Sequence, residues 1–313
     1  MTLLLAAHLL CVNVAGGGPI VGAWLDWRVT RGDEAAAGGA VYLGRASWLG
    51  LLFGAVLGVL IGWLKWDAEY ESLWLGPMSY KMKWAIVEAV FSLVLIGGWW
   101  LWLPRKAGGS RWAMCMRSFI AVLAATNLLY HFPMLFSVAA QLQEAGETTG
   151  AAIGGRAFRA LVHTDTILLT IHVTLASIAV AGVVLAGLAS RLLRHGETEM
   201  AAVVARWSGR WALVPSLAQL PVGLFMLTVL PPPQQAMLMG NNTVGVLLFV
   251  GAIFAALWLV NDLAQLGMGE VSRPLLIRAM TAMVVTVVLM TGMQVQTQSI
   301  NTGAPKAAKS SHR

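Results

Sequence analysis

The sequence predicts an all-α polytopic membrane protein of about eight transmembrane helices. Of its 313 residues, 58% are hydrophobic and 11% are charged, whereas a soluble domain carries about a quarter charged residues. Eight separate stretches are apolar over the roughly 20 residues that a helix needs to cross a bilayer. The charged residues fall almost entirely between these stretches, so the composition argues against a soluble enzyme, a disordered protein or a nucleic-acid-binding domain.

The eight apolar stretches divide the chain into two sets of four. Residues 1–145 are predicted to form a first four-helix membrane bundle, and residues 146–296 a second one. The tail 297–313 is polar and rich in small residues, so it is predicted to be disordered. The predicted spans are 3–25, 46–64, 84–103, 115–140, 166–190, 211–230, 243–261 and 279–296.

The two sets of helices share a weak pattern that indicates a parallel repeat. The segment HLLCVNVAGGGPIVGAW in the first span aligns with HVTLASIAVAGVVLAGL in the fifth, which places His8 on His172 and Gly18 on Gly182. A Gly-Arg pair also precedes both the second and the sixth span. With four spans in each half, the two copies would cross the membrane in the same direction.

The basic residues predict the orientation of the chain. Of the 21 lysines and arginines, 13 lie in the connections after spans one, three, five and seven. Because lysine and arginine accumulate in cytoplasmic loops, these connections are predicted to be cytoplasmic and both termini to be outside. We expect an integral protein of a bacterial inner membrane, with the lipid bilayer as its main partner.

Several ionisable side chains gather near the predicted outer side. Counted from the inner boundary at about 1.5 Å per residue, His8 lies roughly 27 Å up, His131 roughly 21 Å and His172 roughly 28 Å. Glu88 lies roughly 25 Å up in the third span, and His163 precedes the fifth span on the same side. Ionisable groups are costly in a bilayer and usually indicate function.

These histidines predict a b-type haem site, because imidazole is the usual nitrogen ligand of haem iron. Two histidines on facing helices of a four-helix unit can hold a haem between them. We expect His8 and His131 to do this in the first half, and His172, with His163 nearby, in the second. The glycines at 16–18 would let the flat macrocycle lie against the backbone.

The methionines indicate an alternative function. Met237, Met239, Met290 and Met293 lie on or near the predicted outer side, in spacings that offer thioethers to Cu(I), which is a soft ion. In that case the chain would be a permease that handles copper or another ion through outer histidines and methionines. A third alternative is a structural subunit of a respiratory complex that holds no cofactor.

The first half also resembles known families. An HLL sequence and a glycine cluster in the first span are followed by a GPxxYKMK segment before the third. This order, over residues 3–140, resembles the membrane copper-resistance protein D family and the four-helix haem-containing membrane protoporphyrinogen oxidases of bacteria. The latter family has a characteristic helix 1 histidine, which His8 matches, and a lysine at the start of helix 3, which Lys83 or Lys81 matches. The double length and the lack of a lysine near residue 248 depart from that family.

The leading hypothesis from the sequence is a membrane-bound b-type haem protein that transfers electrons near the outer face. Its ligands are expected among His8, His131 and His172, with Lys83 and Glu88 as partners of the ligands or of the haem propionates. A haem protein of this kind would be a haem-dependent membrane oxidoreductase with a periplasmic or membrane redox partner. No nucleic-acid partner is expected.

Overall fold

The computed structural model describes residues 1–303, with side chains for residues 1–297. Every regular element in this part of the chain is helical, which confirms the predicted all-α class. The helices are α1 (Thr2–Val29), α2 (Glu34–Leu64), α3 (Ala68–Leu75), α4 (Ser79–Trp102), α5 (Arg111–Ala145), α6 (Gly155–Ala160), α7 (Thr164–Arg194), α8 (Thr198–Val229), α9 (Pro232–Ala236), α10 (Thr243–Met268) and α11 (Arg273–Gly303). A π-helical turn, Met237–Asn241, joins α9 to the residues before α10.

Eight of these helices are long and apolar enough to cross a membrane: α1, α2, α4, α5, α7, α8, α10 and α11. The chain is therefore a polytopic integral membrane protein. Helices suit the bilayer because all their backbone polar groups are hydrogen-bonded within one segment. Several helices are longer than the predicted spans, since the apolar stretch ends before the helical hydrogen bonding does. The last helix continues to Gly303, seven residues into the predicted tail, and residues 304–313 lie outside the described residues.

The bundle has two sides, which we name by their residues. The terminal side carries Thr2 and Gly303, and the arginine side is the opposite one, where α1 ends at Val29. Capping side chains fix several helix starts: Asp33 accepts a hydrogen bond from the backbone N–H of Ala36 at α2.

The centre of the bundle is the contact between α1 and α7. A Cβ added at Gly17 would lie 2.0 Å from the backbone oxygen of Ser177, so only glycine allows this approach. One turn towards the terminal side, the Ser177 hydroxyl donates a 2.8 Å hydrogen bond to Oδ1 of Asn13. Asn13 and Ser177 occupy equivalent positions in the predicted alignment of the two halves.

The two sets of four helices make the same internal contacts. In the first set, α1 contacts α2 and α5, while α4 contacts α2 and α5. In the second set, α7 contacts α8 and α11, while α10 contacts α8 and α11. This shared scheme favours the parallel repeat that the sequence predicts.

Ion pairs with buried carboxylates hold helices together on the arginine side. Arg117 of α5 donates two 2.8 Å hydrogen bonds to the carboxylate of Asp26 on α1, and the Asp26 side chain is fully buried. Arg278 of α11 pairs with the equally buried Asp262 of α10, through a 3.3 Å bond from its Nε and another from its terminal nitrogen. Each pair joins two membrane-spanning helices by charge-assisted bonds.

A small second core covers the terminal side of the first half. Leu73 and Trp74 of α3 pack with Met78 against the end of α5. The loop before α6 joins this layer, because the Ile153 N–H donates to the Pro77 carbonyl at 2.9 Å. Lys81 lies over the ring of Phe158, 4.2 Å from its centroid.

Candidate functional site

His8 lies between the terminal-side ends of α1 and α2. Its Nδ1 is 2.8 Å from the carbonyl oxygen of Gly54. A carbonyl only accepts hydrogen bonds, so Nδ1 carries the proton and Nε2 of the neutral ring keeps its lone pair. Nε2 has no hydrogen-bond partner among the described residues.

A glycine stripe on α2 makes this contact possible, and it was not among the predicted site residues. Gly50, Gly54 and Gly58 recur every four residues, so they lie on one face of the helix. A Cβ at Gly50 would lie 2.8 Å from the Cys11 carbonyl oxygen, and one at Gly58 would lie 3.0 Å from Cε1 of His8. The small-xxx-small spacing was the signal that would have predicted a close α1–α2 contact.

The glycine cluster of α1 does not provide the space that we expected for a macrocycle. Gly16 packs against Leu129, where an added Cβ would lie 2.6 Å from Cδ2, and Gly17 packs against the backbone of α7. Gly18 packs against the Ser47 hydroxyl. The three glycines are buried because three other helices fill the surface around them, so that expectation is wrong.

His131 has a different environment, on the α4–α5 seam. Its Nδ1 is 3.0 Å from Oε1 of Glu88, and 46% of its side chain is exposed. Asn127, one turn along α5, donates a 3.0 Å hydrogen bond to the Glu88 backbone oxygen and a 2.8 Å bond to the Ser92 hydroxyl. Asn127 and Ser92 therefore hold α4 and α5 together beside the histidine–carboxylate pair.

The structure does not bring His8 and His131 together as a facing pair. Gly16 is level with Leu129, and from there His8 lies eight residues, or about 12 Å, closer to the terminal side. His131 lies only two residues, or about 3 Å, beyond Leu129. Each histidine also has its own hydrogen-bond partner, on a different helix.

His172 occupies the position in the second half that is equivalent to His8. Gln219 of α8 donates a 3.4 Å hydrogen bond to the His172 backbone oxygen. In the alignment that pairs the two Gly-Arg motifs, Gln219 is the equivalent of Gly54. The Nδ1 of His172 is buried without a partner, so the hydrogen bond made by His8 has no counterpart here.

The remaining predicted haem-site residues, His163 and Lys83, do not take part in the ring contacts described for His8, His131 and His172. His163 is exposed at the start of α7 and makes no capping hydrogen bond with its side chain. Lys83 is exposed on the first turns of α4, whereas Lys81 packs on Phe158. Within the described part of the chain, no three histidine, cysteine or carboxylate side chains are grouped as a metal site.

The methionines of the copper alternative do not converge as a pair at 237–239. Met237 is buried against Gly245, where an added Cβ would lie 2.6 Å from its Cε, whereas Met239 is 75% exposed. Residues two positions apart on a helical turn point to different sides. Met290 and Met293 are half-buried on α11, one turn apart.

Comparison of the chain with known protein-family models and with curated proteins finds no match. The proposals that follow therefore rest on the geometry of the residues above.

Proposed function

We propose that the chain is a membrane-bound b-type haem protein that transfers electrons at its terminal side, with His8 as an axial ligand. The observation that carries this proposal is the hydrogen bond from Nδ1 of His8 to the Gly54 carbonyl. Metal-ligating histidines almost always donate their second ring N–H to a carbonyl or carboxylate, which fixes the ring and leaves the other nitrogen free for the metal. Nε2 of His8 is such a nitrogen.

The helices around His8 suit a haem ligand. The imidazole is held against Gly58 on an apolar helix, so its orientation is fixed before any ligand binds. The apolar surroundings and the axial ligand would set the reduction potential, while the haem itself supplies the electron-transfer chemistry. We propose His172 as the ligand in the second half by its aligned position alone, since its Nδ1 lacks the bond that orients His8. We propose Lys83, which is exposed on the same side, as a partner for haem propionates.

The proposal includes an orientation. The arginine side carries most of the basic loop residues, and loops of this composition stay in the cytoplasm. The terminal side would then face outward from a bacterial inner membrane, where a periplasmic or membrane redox partner could reach it. A cysteine placed at residue 2 and labelled from either side of intact cells tests this part separately.

The test of the haem proposal is an optical spectrum. The full chain, expressed with haem supply and purified in detergent, should give a Soret band and a reduced-minus-oxidised difference spectrum. His8→Ala should remove about half of the haem if His172 holds a second one, and all of it if His8 holds the only one. The matched control is His195→Ala, since His195 is exposed on the arginine side. A wild-type protein without a Soret band would overturn the proposal.

A further inference from the structure

The His131–Glu88 pair lies on the outer surface of the bundle at a depth where only lipid is expected. His131 is 14 residues along α5 from Arg117, or about 21 Å from the arginine side, within a hydrocarbon core of about 30 Å. Ionisable residues inside membranes almost always face the bundle interior or a water-filled cavity. The half-exposed imidazole of His131 departs from this rule, so it is open to a ligand that arrives from the bilayer.

The hydrogen-bonding groups of His131 and Glu88 define which group a ligand at this place should carry. A carboxylate only accepts hydrogen bonds, so the proton between the two side chains is on Nδ1 of His131. When the ring holds only this proton, Nε2 is an acceptor, and it has no hydrogen-bond partner among the described residues. The ligand should carry a hydroxyl or another donor group. Asn127 and Ser92 hold the helix around Glu88, so the acceptor is fixed in place.

The surface around the pair defines the rest of the ligand. Trp84 and Phe91 lie one turn either side of Glu88 on α4, and their side chains are 50% and 45% exposed. Tyr130 is 57% exposed, and its ring lies edge-on to that of His131 at 5.3 Å between centroids. Aromatic side chains favour stacked or edge-on contacts with another aromatic ring. A lipid headgroup does not reach this depth, and an acyl chain carries no donor.

We propose that His131 and Glu88 form the binding site for a bilayer-dissolved hydroquinone, whose ring hydroxyl donates to Nε2 of His131. The ligand class rests on the proposed function, because a hydroquinone is an electron donor that can reach a membrane haem protein through the bilayer. Oxidation of the hydroquinone to the quinone would release two electrons, which haem would accept one at a time, and two protons, which would pass to the water at the terminal side. Glu88 is a positioning residue in this site, since it acts by orienting the imidazole.

The test uses a phenol that binds without redox chemistry. Binding of 2,3,5,6-tetramethylphenol and of its methyl ether is measured with the full chain in lipid nanodiscs, against empty nanodiscs. The wild type should prefer the phenol by about tenfold, since one hydrogen bond to a desolvated acceptor has this value. His131→Leu should remove the preference, and Glu88→Gln should reduce it only in part, because the amide oxygen still accepts from Nδ1.

The matched control is Thr126→Val, an exposed polar residue on the same helix whose hydroxyl bonds to its own backbone. It should leave the preference unchanged. If His131→Leu does not accumulate, His131→Phe makes the same test with an aromatic side chain that has no hydrogen-bond acceptor. Equal binding of phenol and ether to the wild type would overturn the proposal, as would an unchanged preference in His131→Leu. A disulfide cross-link between two copies of a Tyr130→Cys variant would also overturn the proposal, because it would show that a second copy of the chain covers the pair.

The Soret band is recorded on every sample. A wild type without the band that still prefers the phenol would overturn the haem proposal alone. A wild type with the band and without the preference would overturn only the hydroquinone site.

Discussion

The two halves of the bundle have the same helix contacts, yet the equivalent histidines in them differ in their hydrogen bonds. In the first half, the α2 glycine stripe brings α1 and α2 together, and Nδ1 of His8 reaches the Gly54 carbonyl. In the second half, Gln219 stands at the position of Gly54, and Nδ1 of His172 is buried without a partner. The comparison teaches that shared helix contacts do not by themselves fix a histidine ring, because Nδ1 has a partner in one half and none in the other.

The ion pairs on the arginine side give the largest expected difference between the halves. Arg117→Leu leaves the fully buried Asp26 without a partner, and the free energy of unfolding should fall by about 3–5 kcal/mol. Arg278→Leu should lower it by less, because water reaches the half-exposed Arg278 end of that pair even though Asp262 is buried. Unfolding by sodium dodecyl sulfate in mixed micelles measures both values. The double variant Asp26→Leu/Arg117→Leu should recover most of the loss, and equal losses for the two arginines would contradict the contrast.

The glycine stripe predicts a smaller effect that is confined to the first half. A Cβ at Gly54 would lie 2.8 Å from Cγ1 of Val12, so Gly54→Leu should force α1 and α2 apart and lower the free energy of unfolding by about 1–3 kcal/mol. The same substitution should shift the ring carbon resonances of His8 in an NMR spectrum, because its hydrogen bond is lost. Gln219→Leu is the matched change in the second half, where we expect no shift at His8. A Gly54→Leu protein with unchanged His8 resonances would show that the stripe does not position the ring.

The methionines predict the smallest effects. Met239→Leu should change the free energy of unfolding by less than about 0.5 kcal/mol, since the side chain is 75% exposed. Met237→Leu keeps most of the volume of a buried side chain, so its effect should stay below about 1.5 kcal/mol. Under the haem proposal neither change affects the Soret band. Loss of copper uptake in cells that express either variant would instead support the copper alternative.

The sequence predicted the eight membrane helices because apolar stretches and the charges between them are local properties. The partners of those charges could not be predicted, since Asp26 and Arg117 meet only through the packing of α1 on α5. The depth of His8 and His131 followed from counting residues, but their directions depended on which helices are neighbours. The glycines at 16–18 predicted that something packs closely against α1. The structure shows that three neighbouring helices pack there and leave no room for a cofactor.

The Asp26–Arg117 bond also has a consequence for how the protein is made. The two residues are 91 positions apart, so α1 leaves the ribosome with a carboxylate whose cation has not yet been synthesised. An isolated carboxylate is unfavourable in hydrocarbon. We therefore expect the arginine-side end of α1 to stay near water until α5 emerges, after α2 and α4 have been made. The contact of α1 with α5 would then be completed only once Arg117 has been synthesised.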